Sequence, residues 1–495
     1  MRTRDPRALV PRLIMVLLLL LGFGRLAQVA LHVPLLGYAN NYDFIKISST
    51  VGLWVDEVGM DPYEGHPSAP FRHYLSHGIR HRESQYLSSE LLFVYPAIAF
   101  ADAQNFIHGS RVNAFDLRTL GVLKSLCFLA ASIFISLLFY RRSAKLGVLS
   151  SLIFAVVICD PFNSLYFNTL YFDDSAVIFG YLAVGLGLYL VSTERQSTIL
   201  TVAFCVALLL LGLSKMQHPG LPLAITTAFC AARARRSWKD GGGRAMMKAC
   251  APALAISLLA LWLGVINNRA PSMRGMAAAA ATDSWFGMTL PALNNVPATL
   301  RSLGLPERCE AFVGKNWYTP GMQPPPCPEI FRLHRFQMVW LLLKEPAALW
   351  RILKQAIPST RPFVVFYGQV EGRNFGHIED EGARFASLGK FFGELASPVY
   401  VLLFVTALVG GLLSLLLLMD GRSELCLSFS VFLNAVIVAT LIVCLLGDGY
   451  ADLARHFHIG QSALLIAPVV SLVVVTGLLS ELLKRARPKL SEQAR

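Results

Sequence analysis

Ten stretches of this chain are apolar for long enough, or nearly long enough, to cross a bilayer, and no other sequence feature constrains the fold as strongly. They lie near residues 13–33, 117–140, 145–160, 175–192, 198–214, 218–232, 248–266, 397–419, 425–447 and 461–483. A spanning helix needs about 17–25 such residues, and in lipid it must satisfy every backbone group within itself. The expectation is an all-α polytopic membrane protein with about ten transmembrane helices, the bilayer being its first partner. Composition agrees: 55% of the 495 residues are hydrophobic and 15% charged, against roughly a quarter charged in soluble domains. The net charge of +13 would suit nucleic acid, but the basic residues cluster between the apolar runs, so no nucleic-acid partner is expected.

Charge distribution sets the orientation. The pieces "RRSAK" (141–145), "RARRSWKDGGGR" (233–244), "DGRSE" (420–424) and "KRARPKL" (484–490) fall on one side if the N-terminus is cytoplasmic. The positive-inside rule then places both termini in the cytoplasm. The run at 13–33 follows a basic lead without a small-residue cleavage site, so it reads as an uncleaved first span. Arg25 within it either snorkels to the outer face or partners an anionic ligand. Three regions result: an N-terminal transmembrane module (1–266) with a first external loop (34–115), an extracytoplasmic insert (267–396), and C-terminal helices with a cytoplasmic tail (397–495). In the insert, Cys309 and Cys327 are set to pair in an oxidising exterior, and Pro346 should divide residues 331–357 into two short helices. No internal repeat is evident.

Four polar sites share the outer face. "YANNYDF" (38–44) brings Asn40, Asn41, Tyr42 and Asp43, and "YFNTLYFDD" (166–174) brings Asn168, Tyr171, Asp173 and Asp174. "SKMQHPG" (214–220) brings Lys215, Gln217 and His218, and "GDGYADLARHFHIGQ" (447–461) brings Asp448, Asp452, Arg455, His456 and His458. Singly, each has a plainer explanation: the paired acids can cap a helix, and the cations can meet lipid headgroups. Together they supply carboxylates to activate a hydroxyl and cations to hold a phosphate. "GFGR" (22–25) lacks the strand that a nucleotide-binding glycine turn requires. "IEDEG" (378–382) could take a divalent cation, although acidic loop runs are usually only solvated, and no other cofactor is indicated.

The span number, the acids in the first two external loops and the large insert before the last spans resemble the GT-C superfamily of membrane glycosyltransferases. "YFNTLYFDD" is similar to an Asn-Ser-Phe-Tyr-Ser-Glu element of bacterial glycan-biosynthesis hexose transferases, with Asn168, Tyr171 and Asp173 in its Asn, Tyr and acid places. Asp173 stands where that element has Glu, and Asp174 follows it. "NNYDF", "SKMQH", "FYGQVEG" (366–372) and "DGYADLARH" also look like segments of that group. The resemblance implies a hexosyltransferase of the bacterial inner membrane with an extracytoplasmic site. It would move a sugar from a polyprenyl-phosphate donor to a glycan acceptor with inversion. Asp43 would be the general base, with Asp173, helped by Asn168 and Tyr171, orienting the acceptor or sharing the base role as the second catalytic residue. Arg455, His456 and Lys215 would hold the phosphate, with Asn41, Asp174, Gln217 and Asp452 around the substrates. A flippase for lipid-linked sugar, and an O-antigen ligase or polymerase using Arg361, Arg373 and His377, are the alternatives.

Overall fold

The computed structural model describes residues 9–40, 43–55, 72–76, 86–109, 114–193, 197–239, 243–270, 273–362, 370–371, 385–420 and 425–493. Each of the ten apolar runs lies on a helix. Among the described residues, seven helices are long and apolar enough to cross a membrane: Leu9–Ala30, Leu117–Arg142, Asp173–Ser192, Met246–Asn268, Ser397–Met419, Leu425–Asp448 and His458–Ser480. The remaining three runs form shorter or more polar elements. Ala144–Ile158 and Thr198–Gly212 are apolar but short, and Leu221–Lys239 ends in a basic turn.

Two features depart from the sequence expectation. The first external loop contains a further apolar helix, Leu91–Ile107, below spanning length and carrying Pro96 inside it. The fold is also not purely α. Leu53–Val55, His73–Ser76 and Ala114–Asp116 form an antiparallel sheet with Trp54 opposite Leu75 and Tyr74 opposite Phe115. Strands of three or four residues are too short to show an alternating pattern in sequence.

Helix Leu425–Asp448 packs against His458–Gln493 and Ser397–Met419, while Asp173–Ser192 packs on Thr198–Gly212 and Leu117–Arg142. Between membrane helices close packing replaces the hydrophobic effect as the attraction, so small residues mark the contacts. At Gly410 a Cβ would lie 2.0 Å from Ser471 Oγ, so only glycine admits the neighbouring helix there. Arg25 neither snorkels nor waits for a ligand. It donates to the carbonyls of Ala155 and Val156 at 2.8 and 3.1 Å and pairs with buried Asp160 at 3.2 Å, pinning the first helix to the 154–164 turn.

In the insert, Cys309 and Cys327 are bonded, with 5.5 Å between their Cα atoms. Residues 331–357 hold two helices, Arg335–Lys344 and Pro346–Ser359. Pro346 occupies the first turn of the second, where its missing N–H costs nothing.

Candidate active site

The polar segments singled out in the sequence converge at one end of the bundle. The chain leaves its first helix and turns through Asn40, whose side-chain oxygen accepts from the Phe44 N–H at 3.1 Å. That turn opens the short helix Ile45–Val51, which ends on left-handed Gly52 (φ 76°). Asn40 therefore shapes the loop, and Asp43 projects from it. Asn41 lies outside the described residues.

Asp43 is held between two cations. One carboxylate oxygen meets Lys46 Nζ at 2.5 Å, and the other accepts from the Arg455 guanidinium. Burial pushes the Asp43 carboxyl up, but Arg455, Lys46 and Lys215 outweigh burial and hold it well below the usual carboxylate range. The Arg455 guanidinium also reaches Asp452 at 3.3 Å and lies 5.1 Å over the Tyr171 ring. Asp452 has a left-handed backbone (φ 45°) without being glycine, a conformation that costs roughly 1–3 kcal/mol and recurs at functional sites. Tyr171 donates its hydroxyl to the Ala39 carbonyl at 2.7 Å, fastening the 166–174 segment beneath the Asp43 loop.

Asp173 and Asp174 open helix Asp173–Ser192, where carboxylates suit the positive end of the helix dipole. Consecutive helical residues point about 100° apart, and the two acids face different partners. Asp173 pairs with Lys215 at 2.7 Å, inside the polar cluster. Asp174 turns away to Lys124, which also binds Glu90 at 2.6 Å, all three fully buried. Of the two acids, Asp173 is the one that faces the site.

Lys215 Nζ also lies 2.9 Å from His456 Nδ1, whose Nε2 lies 3.1 Å from Asp448. Burial, then the charges of Lys215 and Arg455, lower the His456 imidazole well below its usual range, so it is neutral at pH 7. Nδ1 then accepts from the Lys215 ammonium and Nε2–H donates to Asp448. His456 thus links Lys215 to Asp448 within the cluster. Gln217 donates to the same Asp448 carboxylate. Asn168, fully buried, donates to the carbonyls of Val29 and Leu36 at 3.0 and 2.9 Å, so its amide clamps the first helix end and the following loop.

Sequence reasoning missed Lys46, Glu90, Lys124 and Asp283. Asp283 begins the π-helical turn Asp283–Thr289 and accepts from the Trp317 N–H at 2.6 Å. Gly449, with φ +62°, lies so close that a Cβ would be 2.7 Å from the Asp283 carbonyl. Burial pushes the Asp283 carboxyl up to about 7; the Trp317 N–H opposes the shift, and Asp448 and Asp452 add to it. An unfolded Asp titrates near ~3.9. The folded chain thus holds more protons than the unfolded one between about pH 4 and 7, and stability falls as pH rises through that window. A carboxyl infrared band that disappears near pH 7 is expected, and Asp283→Asn should remove it and flatten the stability decline. A band that persists well above pH 7 would show a different environment for Asp283.

Arg361, expected in the ligase alternative, donates to the carbonyls of Pro358 and Leu395 and to Ser397 Oγ, so it serves as a loop tie. Arg373, His377 and the acidic run 378–382 lie outside the described residues. Among the described residues the one group of three metal-type ligands is Cys309, Cys327 and Glu329. Two of these sulfurs are committed to the disulfide.

Below the polar cluster an apolar cavity of about 820 Å³ runs between the helices. Its lining includes Val177, Tyr181, Ile459, Ser462, Ile466 and Val470. Val177 is four residues past Asp173 on the same helix, so the cavity begins about one turn from Asp173.

A mostly helical integral membrane protein with a buried ionic cluster at one end of its bundle is thereby defined. The chain belongs to the family described as YfdI N-terminal transmembrane domain, whose model matches residues 4–493. No curated protein matches it.

Proposed function

We propose that this protein is a membrane hexosyltransferase of the GT-C type, transferring a sugar from a polyprenyl-phosphate donor to a glycan on the extracytoplasmic face. The observation that carries the reading is the Asp43–Arg455 pair, a carboxylate and a guanidinium from chain positions 412 residues apart joined at one bundle end above an apolar cavity. A phosphate headgroup needs the cations, its isoprenoid tail needs the cavity, and the acceptor hydroxyl needs the base. In this reading the opposite helix ends, which carry Arg12, Arg141, Arg142 and Arg233, face the cytoplasm, in keeping with the positive-inside rule.

The chemistry is a single displacement. The acceptor oxygen attacks the anomeric carbon, the bond from that carbon to the phosphate oxygen breaks, and polyprenyl phosphate leaves with the electron pair. Asp43 takes the hydroxyl proton. Arg455, Lys46 and Lys215 neutralise the charge that grows on the departing phosphate, and such fixed charges commonly supply the largest catalytic effect. Asp43 alone is a weak base because its cations hold it ionised. A donor phosphate competes for those cations, which raises the proton affinity of Asp43 when the sugar is in place.

Arg455→Ala should raise the donor concentration for half-maximal transfer roughly 10- to 100-fold, the equivalent of one charge-assisted hydrogen bond. Initial rates against donor in reconstituted vesicles measure it; an unchanged donor dependence removes phosphate binding from Arg455. A flippase would be expected to carry its ionisable residues through the bilayer depth. Here even Lys124 is only seven residues into its helix, about 10 Å from the same end.

A further inference from the structure

Of the three aromatic residues in the loop closed by Cys309 and Cys327, Phe312 packs against Phe286 with ring centroids 6.3 Å apart, and Trp317 and Tyr318 are left with no role in the chemistry above. Trp317 is half-buried, and Tyr318 is 64% exposed although it is a large aromatic. The loop is built to hold them. Its ends are joined by the disulfide, Gly314 donates to the Phe286 carbonyl at 2.9 Å, and Gln323 donates to the Trp317 carbonyl at 2.9 Å. Asn316 accepts from the Tyr318 N–H at 3.1 Å. The Trp317 N–H is fixed on Asp283, and Asp283 abuts Gly449, the neighbour of Asp448.

The loop therefore borders the ionic cluster. Electrostatics agree: after burial, the Asp452 and Asp43 charges help push the Tyr318 phenol up to about 12, while Arg455 opposes them. One oxygen of Asp283 is engaged by the Trp317 backbone N–H. Aromatic faces are electron-rich, and the C–H bonds on the flat side of a pyranose are slightly positive, so the two stack.

Resting on the transferase reading, we propose that loop 309–327 is the acceptor subsite, with Trp317 and Tyr318 stacking on a neutral pyranose. The acceptor is then a sugar whose ring, rather than a charged group, is recognised. Donor and acceptor meet at Asp43 from opposite sides, the donor from the apolar cavity and the acceptor from the aromatic loop.

Saturation-transfer NMR on the full chain in nanodiscs tests this without turnover, using neutral oligosaccharides hydrolysed from the host's own surface polysaccharide. Wild type should saturate pyranose ring protons. Trp317→Ala with Tyr318→Ala should weaken binding roughly 2- to 10-fold, and Trp317→Phe should retain it. Tyr318→Ala alone, an exposed position the fold does not need, should give part of the loss. Unchanged binding in the double and Tyr318→Ala variants, or no saturation in wild type, overturns the subsite. Because no transfer is required, loss of binding counts for the subsite even if the protein transfers nothing, and intact binding removes it while leaving the Asp43 chemistry standing.

Discussion

Asp43→Asn should abolish transfer, lowering kcat by roughly 10²- to 10⁴-fold, the range over which a positioned general base acts. The substitution keeps shape and hydrogen-bonding size but removes the negative charge and the basic oxygen. Arg455 and Lys46 would then face a neutral amide, so donor affinity should hold or rise while turnover falls. Span topology should be unchanged, because Tyr171 and Asn168 also tie this loop to the bundle, while the melting temperature should fall as buried Arg455 and Lys46 lose their carboxylate. The split between turnover and donor binding separates a base from a mere structural pair. Wild-type turnover in Asp43→Asn would remove this residue from the chemistry.

The second large effect concerns folding. Lys124 lies between Glu90 and Asp174, with all three side chains sealed from solvent. Burial and the Asp174 charge push the Glu90 carboxyl well above its usual range, and Lys124 opposes them. Lys124→Met leaves a buried carboxylate without a cation, which costs about 3–5 kcal/mol when one partner of a buried pair is lost. A sharply lower melting temperature in detergent is expected. Adding Asp174→Asn and Glu90→Gln should recover much of the loss, since removing all the charges is far less costly than stranding one. A Lys124→Met protein that melts with wild type would mean the three groups are not sealed together. Because Asp174 adjoins Asp173, this buried group also fixes the helix start that presents Asp173 to Lys215.

Much of this was legible in the sequence, and the reasons are physical. Apolar length marks helices in lipid, so all ten runs lie on helices, and charge clusters separate the two bundle ends. The segments bearing Asp43, Asp173, Lys215 and Arg455 were visible because polar residues beside spans are costly without a use. Their pairing was not, since Asp43 and Arg455 meet across nearly the whole chain and only packing decides the partner. Which of Asp173 and Asp174 faces the site depends on helix rotation, which sequence leaves open. Lys124 did give a signal, a lysine inside an otherwise apolar run, and that signal was overlooked. Glu90 and Asp283 gave none, because a single acid in a loop is ordinarily solvated. The small sheet and helix Leu91–Ile107 fell below the lengths at which periodicity speaks.

Purified wild-type protein in vesicles, supplied with a polyprenyl-phosphate hexose and the surface glycan of a strain lacking it, gives the most direct measurement. Mass spectrometry of the glycan should show one added hexose per acceptor unit, with free polyprenyl phosphate released in equal amount. A glycan of unchanged mass, with the lipid-linked sugar intact and merely moved to the other leaflet, would contradict the account.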